Sequence, residues 1–201
     1  MQRFVARYRI AITRVLFAVL VGLIVLTHHR WADPGLWSWL SGTLGFLAII
    51  AAALGRLWCS LYISGYKSRR VVSDGPYSMV RNPLYVFSLI GAVGIGLVTH
   101  SLLVIVLLLV IFGGLYPLTI AEEEAKLERA LGKEYLAYKA RTPRFVPDPS
   151  KYANVNTYTI NIPQMQSAFL DAIWFPIGYI ALQGLADAQR SSIAPVLAYL
   201  P

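Results

Sequence analysis

Four long apolar runs divide this chain, at about Ile10–Thr27, Leu36–Leu57, Leu84–Val98 and Leu102–Ile120. Only Arg14, near the start of the first run, and Arg56, late in the second, interrupt them. A bilayer crossing needs roughly 20 apolar residues, so the third run is short unless Val80–Pro83 extend it. Backbone groups in lipid must be satisfied within the segment itself, so all four runs are expected to be helices, at about residues 10–27, 36–57, 82–99 and 101–120. Only Thr99, His100 and Ser101 separate the last two apolar runs, which predicts a tight helical hairpin. The expected fold is therefore an all-α integral membrane protein.

Composition strengthens this reading. Of 201 residues, 57% are hydrophobic and 14% charged, with a mean hydropathy of +0.57. A soluble domain carries about a quarter charged residues. The net charge of +8 comes from cations at the edges of the apolar runs, which fits membrane orientation and argues against nucleic acid as a partner. Arg3, Arg7, Arg9 and Arg14 precede the uninterrupted stretch Val15–Leu26, but no convincing small-residue cleavage site follows, so the first run is expected to be a retained helix. The single cysteine, Cys59, allows neither an internal disulfide framework nor a cysteine-ligated zinc site.

Cations also set an expected orientation. Lys67, Arg69, Arg70 and Arg81 lie between the second and third runs, and Lys126, Arg129, Lys133, Lys139, Arg141 and Arg144 follow the fourth, while Arg30 stands alone on the opposite side. The positive-inside rule places the N-terminus, the central loop and the tail after the fourth run in the cytoplasm. His28, His29 and His100 then fall at external helix ends, where they read as interfacial caps and leave no histidine pair or metal site on the cytoplasmic side. Gly91, Gly94 and Gly96 lack the spacing of a dinucleotide loop and read as small-residue helix packing.

Two stretches remain for chemistry. Asp74–Tyr85 contains a Gly75-Pro76 turn, Arg81 at the lipid boundary and Pro83, whose missing N–H costs nothing in the first turn of a helix. Arg81 alone reads first as a snorkelling anchor, and Tyr77 and Tyr85 suit the interface. Residues 121–147 continue the fourth run as a helix with Leu127 and Leu131 on one face, stop at Gly132, and place Tyr135 and Tyr138 on a second short helix that ends at Pro143.

Together these stretches resemble the isoprenylcysteine carboxyl methyltransferases and their phospholipid-methyltransferase relatives. That family carries G-x-Y-x-x-x-R-H-P-x-Y at the start of one membrane helix, matched here by Gly75, Tyr77, Arg81, Asn82, Pro83 and Tyr85, with asparagine in place of the histidine. It carries E-E-x-x-L-x-x-x-F-G-x-x-Y-x-x-Y after the next hairpin, matched by Glu123, Glu124, Leu127, Leu131, Gly132, Tyr135 and Tyr138, with Leu131 in place of the aromatic. The resemblance covers about residues 35–148. It implies S-adenosylmethionine as cofactor and a lipidic or prenylated acceptor arriving from the bilayer, with carboxyl methylation of an isoprenylcysteine-like thio-acid ahead of phospholipid amine methylation. It implies catalytic roles for Arg81 and Glu123. Tyr77, Asn82, Pro83, Tyr85, Glu123, Glu124, Tyr135 and Tyr138 would bind the cofactor, and no metal is expected. A sterol-reductase-like enzyme using a nicotinamide cofactor shares an arginine-proline-tyrosine motif but not the glutamate pair, and a non-catalytic membrane module uses neither.

The core is thus expected within residues 1–150, with an extension over 151–201 outside the resemblance. Residues 152–166 read as loop or short extended structure. The apolar stretch at about 167–186 is interrupted by Asp171, Pro176 and Gln183. Asp171 is costly in lipid, which favours a helix lying on or dipping into the bilayer, or joining two copies into a homo-oligomer, over a fifth span.

Overall fold

The computed structural model describes residues 15, 18–24, 27–29, 35–64, 66, 70–191 and 198–200, with backbone alone at 27–29 and 198–200. Arg3, Arg7, Arg9, Arg14, Arg30, Lys67 and Arg69, and residues 10–14, 16–17 and 25–26 of the first apolar run, lie outside the described residues, while Thr27 at its end is strand and not helix.

Helix α1, Leu36–Ile63, continues past the expected end at Leu57 because the Ser60 hydroxyl donates to the Arg56 carbonyl (2.8 Å) and the turn beyond stays apolar. Helix α2 is one turn, Pro76–Met79. Helix α3, Pro83–Val98, begins on its proline as expected. Helix α4, Leu102–Leu131, is capped by the Ser101 hydroxyl, which accepts from Val104 N, and runs unbroken out of the apolar run to Gly132. Gly132 has φ +55°, a conformation that suits glycine, and turns the chain into α5, Lys133–Arg141. Helix α6, Ile162–Arg190, starts five residues before the apolar stretch because the Asn161 side chain caps it.

Three of these helices, α1, α4 and α6, are long and apolar enough to cross a membrane. Helix α3 has 16 residues, about 24 Å against a hydrocarbon core of about 30 Å. The architecture is all-α. Among the described residues the one departure is a three-residue parallel ladder, β1 (Thr27–His29) on β2 (Ala198–Leu200).

Small residues draw α1 and α3 together as expected. A Cβ on Gly94 would lie 2.8 Å from the Gly45 carbonyl oxygen, so the two backbones touch. Gly96 meets Ile105 across the α3–α4 hairpin. Leu20, in the helical residues 18–24, closes this layer with Ala92, Val104 and Leu108. We expect Gly94→Ala to cost about 1–3 kcal/mol by overpacking against backbone. Gly113→Ala, with nothing within 4 Å, should be neutral or mildly stabilising. Thermal unfolding in detergent compares the two, and equal melting would contradict the close approach.

The C-terminal helix, expected to lie on or dip into the bilayer or to join two copies, packs against other helices of this chain. α6 runs antiparallel along the whole of α1: the Ser64 hydroxyl donates to Asn161 O at one end (2.9 Å). The Phe46 and Tyr179 rings meet at 4.9 Å midway. Arg190 at the far end lies close enough for its charge, after burial, to lower the pKa of His100, which bonds Ser41 (2.7 Å). Buried Ala172, with Phe175 seated on Gly91, explains this packing, and Asp171 faces outward.

Candidate active site

The first wall follows from local sequence. Gly75 has φ +56°, and a Cβ there would collide with the Tyr62 ring, so the turn requires glycine twice over. The Ser78 hydroxyl donates to Gly75 O (2.6 Å) and closes α2. Past α2, Arg81 N donates to Pro143 O (2.8 Å) and Asp148 N to Met79 O (3.0 Å), so the chain leaving α5 returns along this turn.

The second wall is the extension of α4 beyond Ile120, with α5 folded onto it. The Tyr138 hydroxyl donates to the Tyr77 carbonyl (2.8 Å), joining the two motifs. Between the walls lies a cavity of about 270 Å³, near the lower edge of ordinary ligand cavities, roughly 300–1,000 Å³. Arg81, Glu123, Tyr77, Asn82, Pro83, Tyr85, Glu124, Tyr135 and Tyr138, all singled out in the sequence, line this one cavity.

The two glutamates are not equivalent. Glu124 is 5% exposed. Its Oε1 accepts from Asn82 Nδ2 (3.2 Å) and stands 3.6 Å from Arg81 Nε, and its Oε2 is 3.4 Å from Arg144 Nε. Its carboxylate is thus engaged by protein groups while it lines the cavity. Glu123 lines the cavity and has no hydrogen bond or ion pair among the described residues. Asn82, where the family carries histidine, donates also to Arg144 O (3.2 Å), and so ties the first motif to the chain after the second.

Arg81 is likewise engaged. Besides Glu124, its Nη1 donates to the Lys139 carbonyl (3.3 Å). Arg81 and Glu124 also line a second hollow of about 290 Å³, beside the Lys139–Glu128 ion pair, so the two side chains form a partition between cavities. The tyrosines are neutral hydroxyls. Burial, the largest cause, pushes Tyr135 up to about 12 and raises Tyr138 and Tyr77 well above the usual range. The buried Tyr77 hydroxyl has no hydrogen-bond partner among the described residues. Tyr85, in the first turn of α3, meets the Tyr116 ring edge-on at 5.1 Å.

Part of the lining was not singled out in the sequence. Ile63, Tyr66, Arg70 and Val72 form a further side, and Arg70 and Lys126 had counted only as orienting cations. The tail holds this side in place. Gly75 N donates to Ala153 O (2.7 Å), the Tyr158 hydroxyl to Tyr62 O (2.7 Å), and the Tyr62 hydroxyl to Asn154 Oδ1 (2.8 Å). No motif marks these residues; the nearest signal is aromatic density in an otherwise polar tail.

Residues 44–134 match the phospholipid methyltransferase family. The chain is 36% identical over 204 residues to the nickel-cobalt-cadmium resistance protein NccN of Alcaligenes xylosoxydans xylosoxydans, covering 100% of this chain and 93% of that protein. It is 40% identical over 176 residues to the cobalt-zinc-cadmium resistance protein CzcN of Cupriavidus metallidurans, covering 87% of this chain and 80% of that one. No solved structure matches.

Proposed function

The chain belongs to the phospholipid methyltransferase family, and on that premise we propose that it transfers a methyl group from S-adenosylmethionine to a lipidic acceptor arriving from the bilayer. The observation that carries this reading is the convergence of two motifs, some forty residues apart, on one cavity at the ends of apolar helices. The cavity offers what the cofactor needs: an unpaired carboxylate in Glu123 for an ammonium or ribose hydroxyl, and neutral tyrosine rings for adenine and a sulfonium. The buried Tyr77 hydroxyl adds an unsatisfied donor. We place the cavity on the cytoplasmic side, following the cations around it.

When bound, S-adenosylmethionine supplies a methyl on a positively charged sulfur, which departs as a neutral thioether. The remaining work is positional, worth several orders of magnitude in rate when the geometry is held. Asn82, Glu124, Arg81 and Arg144 hold the two motifs together, and the Tyr138–Tyr77 bond sets the tyrosine wall. With Glu124 occupied by Arg81 and Arg144, the cavity retains Arg70 and Lys126 against Glu123, a balance that favours a carboxylate acceptor of the isoprenyl-thio-acid kind. Such a nucleophile gives up no proton. A phospholipid amine is the second reading, favoured by unpaired Glu123, which can take the proton an attacking amine must lose. If this chain shares the metal-resistance association of its named relatives, methylation of envelope lipid is the route this cavity supports.

Titration of detergent-purified protein with S-adenosylhomocysteine tests the reading. Glu123→Ala is expected to weaken binding roughly tenfold, by loss of a charge-assisted hydrogen bond, with melting unchanged. Binding as tight as the parent's would remove Glu123 from the site. Labelled methyl transfer to an isoprenyl-thio-acid and to phosphatidylethanolamine separates the two acceptors.

A further inference from the structure

Arg70 makes no ion pair among the described residues, although it lines the cavity and is exposed. Its guanidinium is held by rings. It lies 3.8 Å from the centroid of Tyr66 and 5.1 Å from that of Tyr158. Tyr158 is itself fixed, its ring 5.2 Å from Tyr62 and 5.5 Å from Tyr66 and its hydroxyl donating to Tyr62 O. A surface arginine ordinarily keeps its rotamer freedom, whose loss costs up to about 2 kcal/mol. This one rests 3.8 Å from the Tyr66 ring centroid, with the Tyr158 ring set edge-on to Tyr66 beside it. The tail segment that holds it lies wholly outside residues 44–134.

Arg81, the other arginine on this cavity, differs in having its charge balanced: its Nε stands 3.6 Å from Glu124 Oε1, and its Nη1 donates to the Lys139 carbonyl. A ligand carboxylate entering the cavity therefore meets in Arg70 a guanidinium held by rings and without an ion-pair partner among the described residues, and its planar fork suits that group. We propose that Arg70, positioned by Tyr66 and Tyr158, is the residue that receives a ligand carboxylate in this cavity. The inference rests on the methyl-transfer reading above and sharpens it. The carboxylate belongs either to the amino-acid moiety of the cofactor, with Glu123 across from it for the ammonium, or to the acceptor.

The test measures binding of S-adenosylhomocysteine and of its decarboxylated analogue, which keeps the amine, to the full chain in detergent. The parent should prefer the carboxylate form roughly ten- to a hundredfold. Arg70→Gln should erase that preference by weakening S-adenosylhomocysteine alone, Arg70→Lys should fall between, and Tyr158→Phe should lose less. If Arg70→Gln keeps the preference but raises the KM for an isoprenyl-thio-acid roughly tenfold or more, the carboxylate is the acceptor's and the assignment stands. If preference and KM are both unchanged in Arg70→Gln and Arg70→Lys, Arg70 is only a cation resting on rings. A parent that binds neither nucleoside overturns the methyl-transfer reading, and this inference with it.

Discussion

Glu124→Ala is expected to lose about 3–5 kcal/mol of stability, the usual loss when one member of a buried ionic cluster is removed. The Glu124 and Arg81 side chains are 7% and 10% exposed, and Arg144 is 34% exposed. Without the carboxylate two guanidiniums face each other across the partition with no anion between them, and Asn82 loses an acceptor. Because the lost cluster joins the turn before α3 to α4 and to the chain after α5, local collapse of the cavity should accompany the loss. Glu124→Gln keeps an acceptor for Asn82 without the charge, and should fall between parent and alanine. Glu123→Ala, one residue away, is expected to melt within about 0.5 kcal/mol of the parent, as surface changes ordinarily do. Thermal unfolding in detergent compares all four proteins. Equal melting of Glu124→Ala and Glu123→Ala would show that the cluster does not hold the two motifs together.

That contrast marks where sequence reasoning reaches its limit. The motifs and their helices were legible because they rest on local rules. Pro83 opens α3, Gly132 ends α4, and Gly75 sits where only glycine fits. Period and spacing carry that information. Which of two adjacent glutamates turns inward was not legible, since it depends on Arg144 and Asn82 arriving from segments twenty and forty residues away. The same holds for Arg70. Along the chain it is one cation among several, and only the return of Tyr158 beside Tyr62 and Tyr66 makes it a held group on a cavity. The course of α6 was not legible for a related reason. Asp171 counts against a span when the helix is taken alone, but packing of Ala172 and Phe175 onto α1 and α3 governs where the helix runs. The helical core needed local pattern alone; the cavity needed long-range contacts that no spacing encodes.

Arg81→Lys is expected to leave the protein folded while lowering methyl transfer roughly ten- to a hundredfold. The guanidinium spans two groups on different helices, the Glu124 carboxylate on α4 and the Lys139 carbonyl on α5, and its own backbone N is pinned to Pro143 O. A lysine ammonium keeps the counter-charge that Glu124 needs, so most of the stability persists. It has no planar fork, and reaches one of the two groups at a time. Losing one charge-assisted bond of about 1.5–3 kcal/mol that holds the cavity wall corresponds to that fall in rate. A positional role makes a further demand: kcat should drop while the affinity for S-adenosylhomocysteine changes only a few-fold, because the contacts of the Arg81 guanidinium among the described residues are to protein groups. A snorkelling anchor gives the opposite result, with lysine serving as well as arginine and full activity retained. A large loss of cofactor affinity with kcat preserved would instead move Arg81 out of the partition and into direct contact with the ligand.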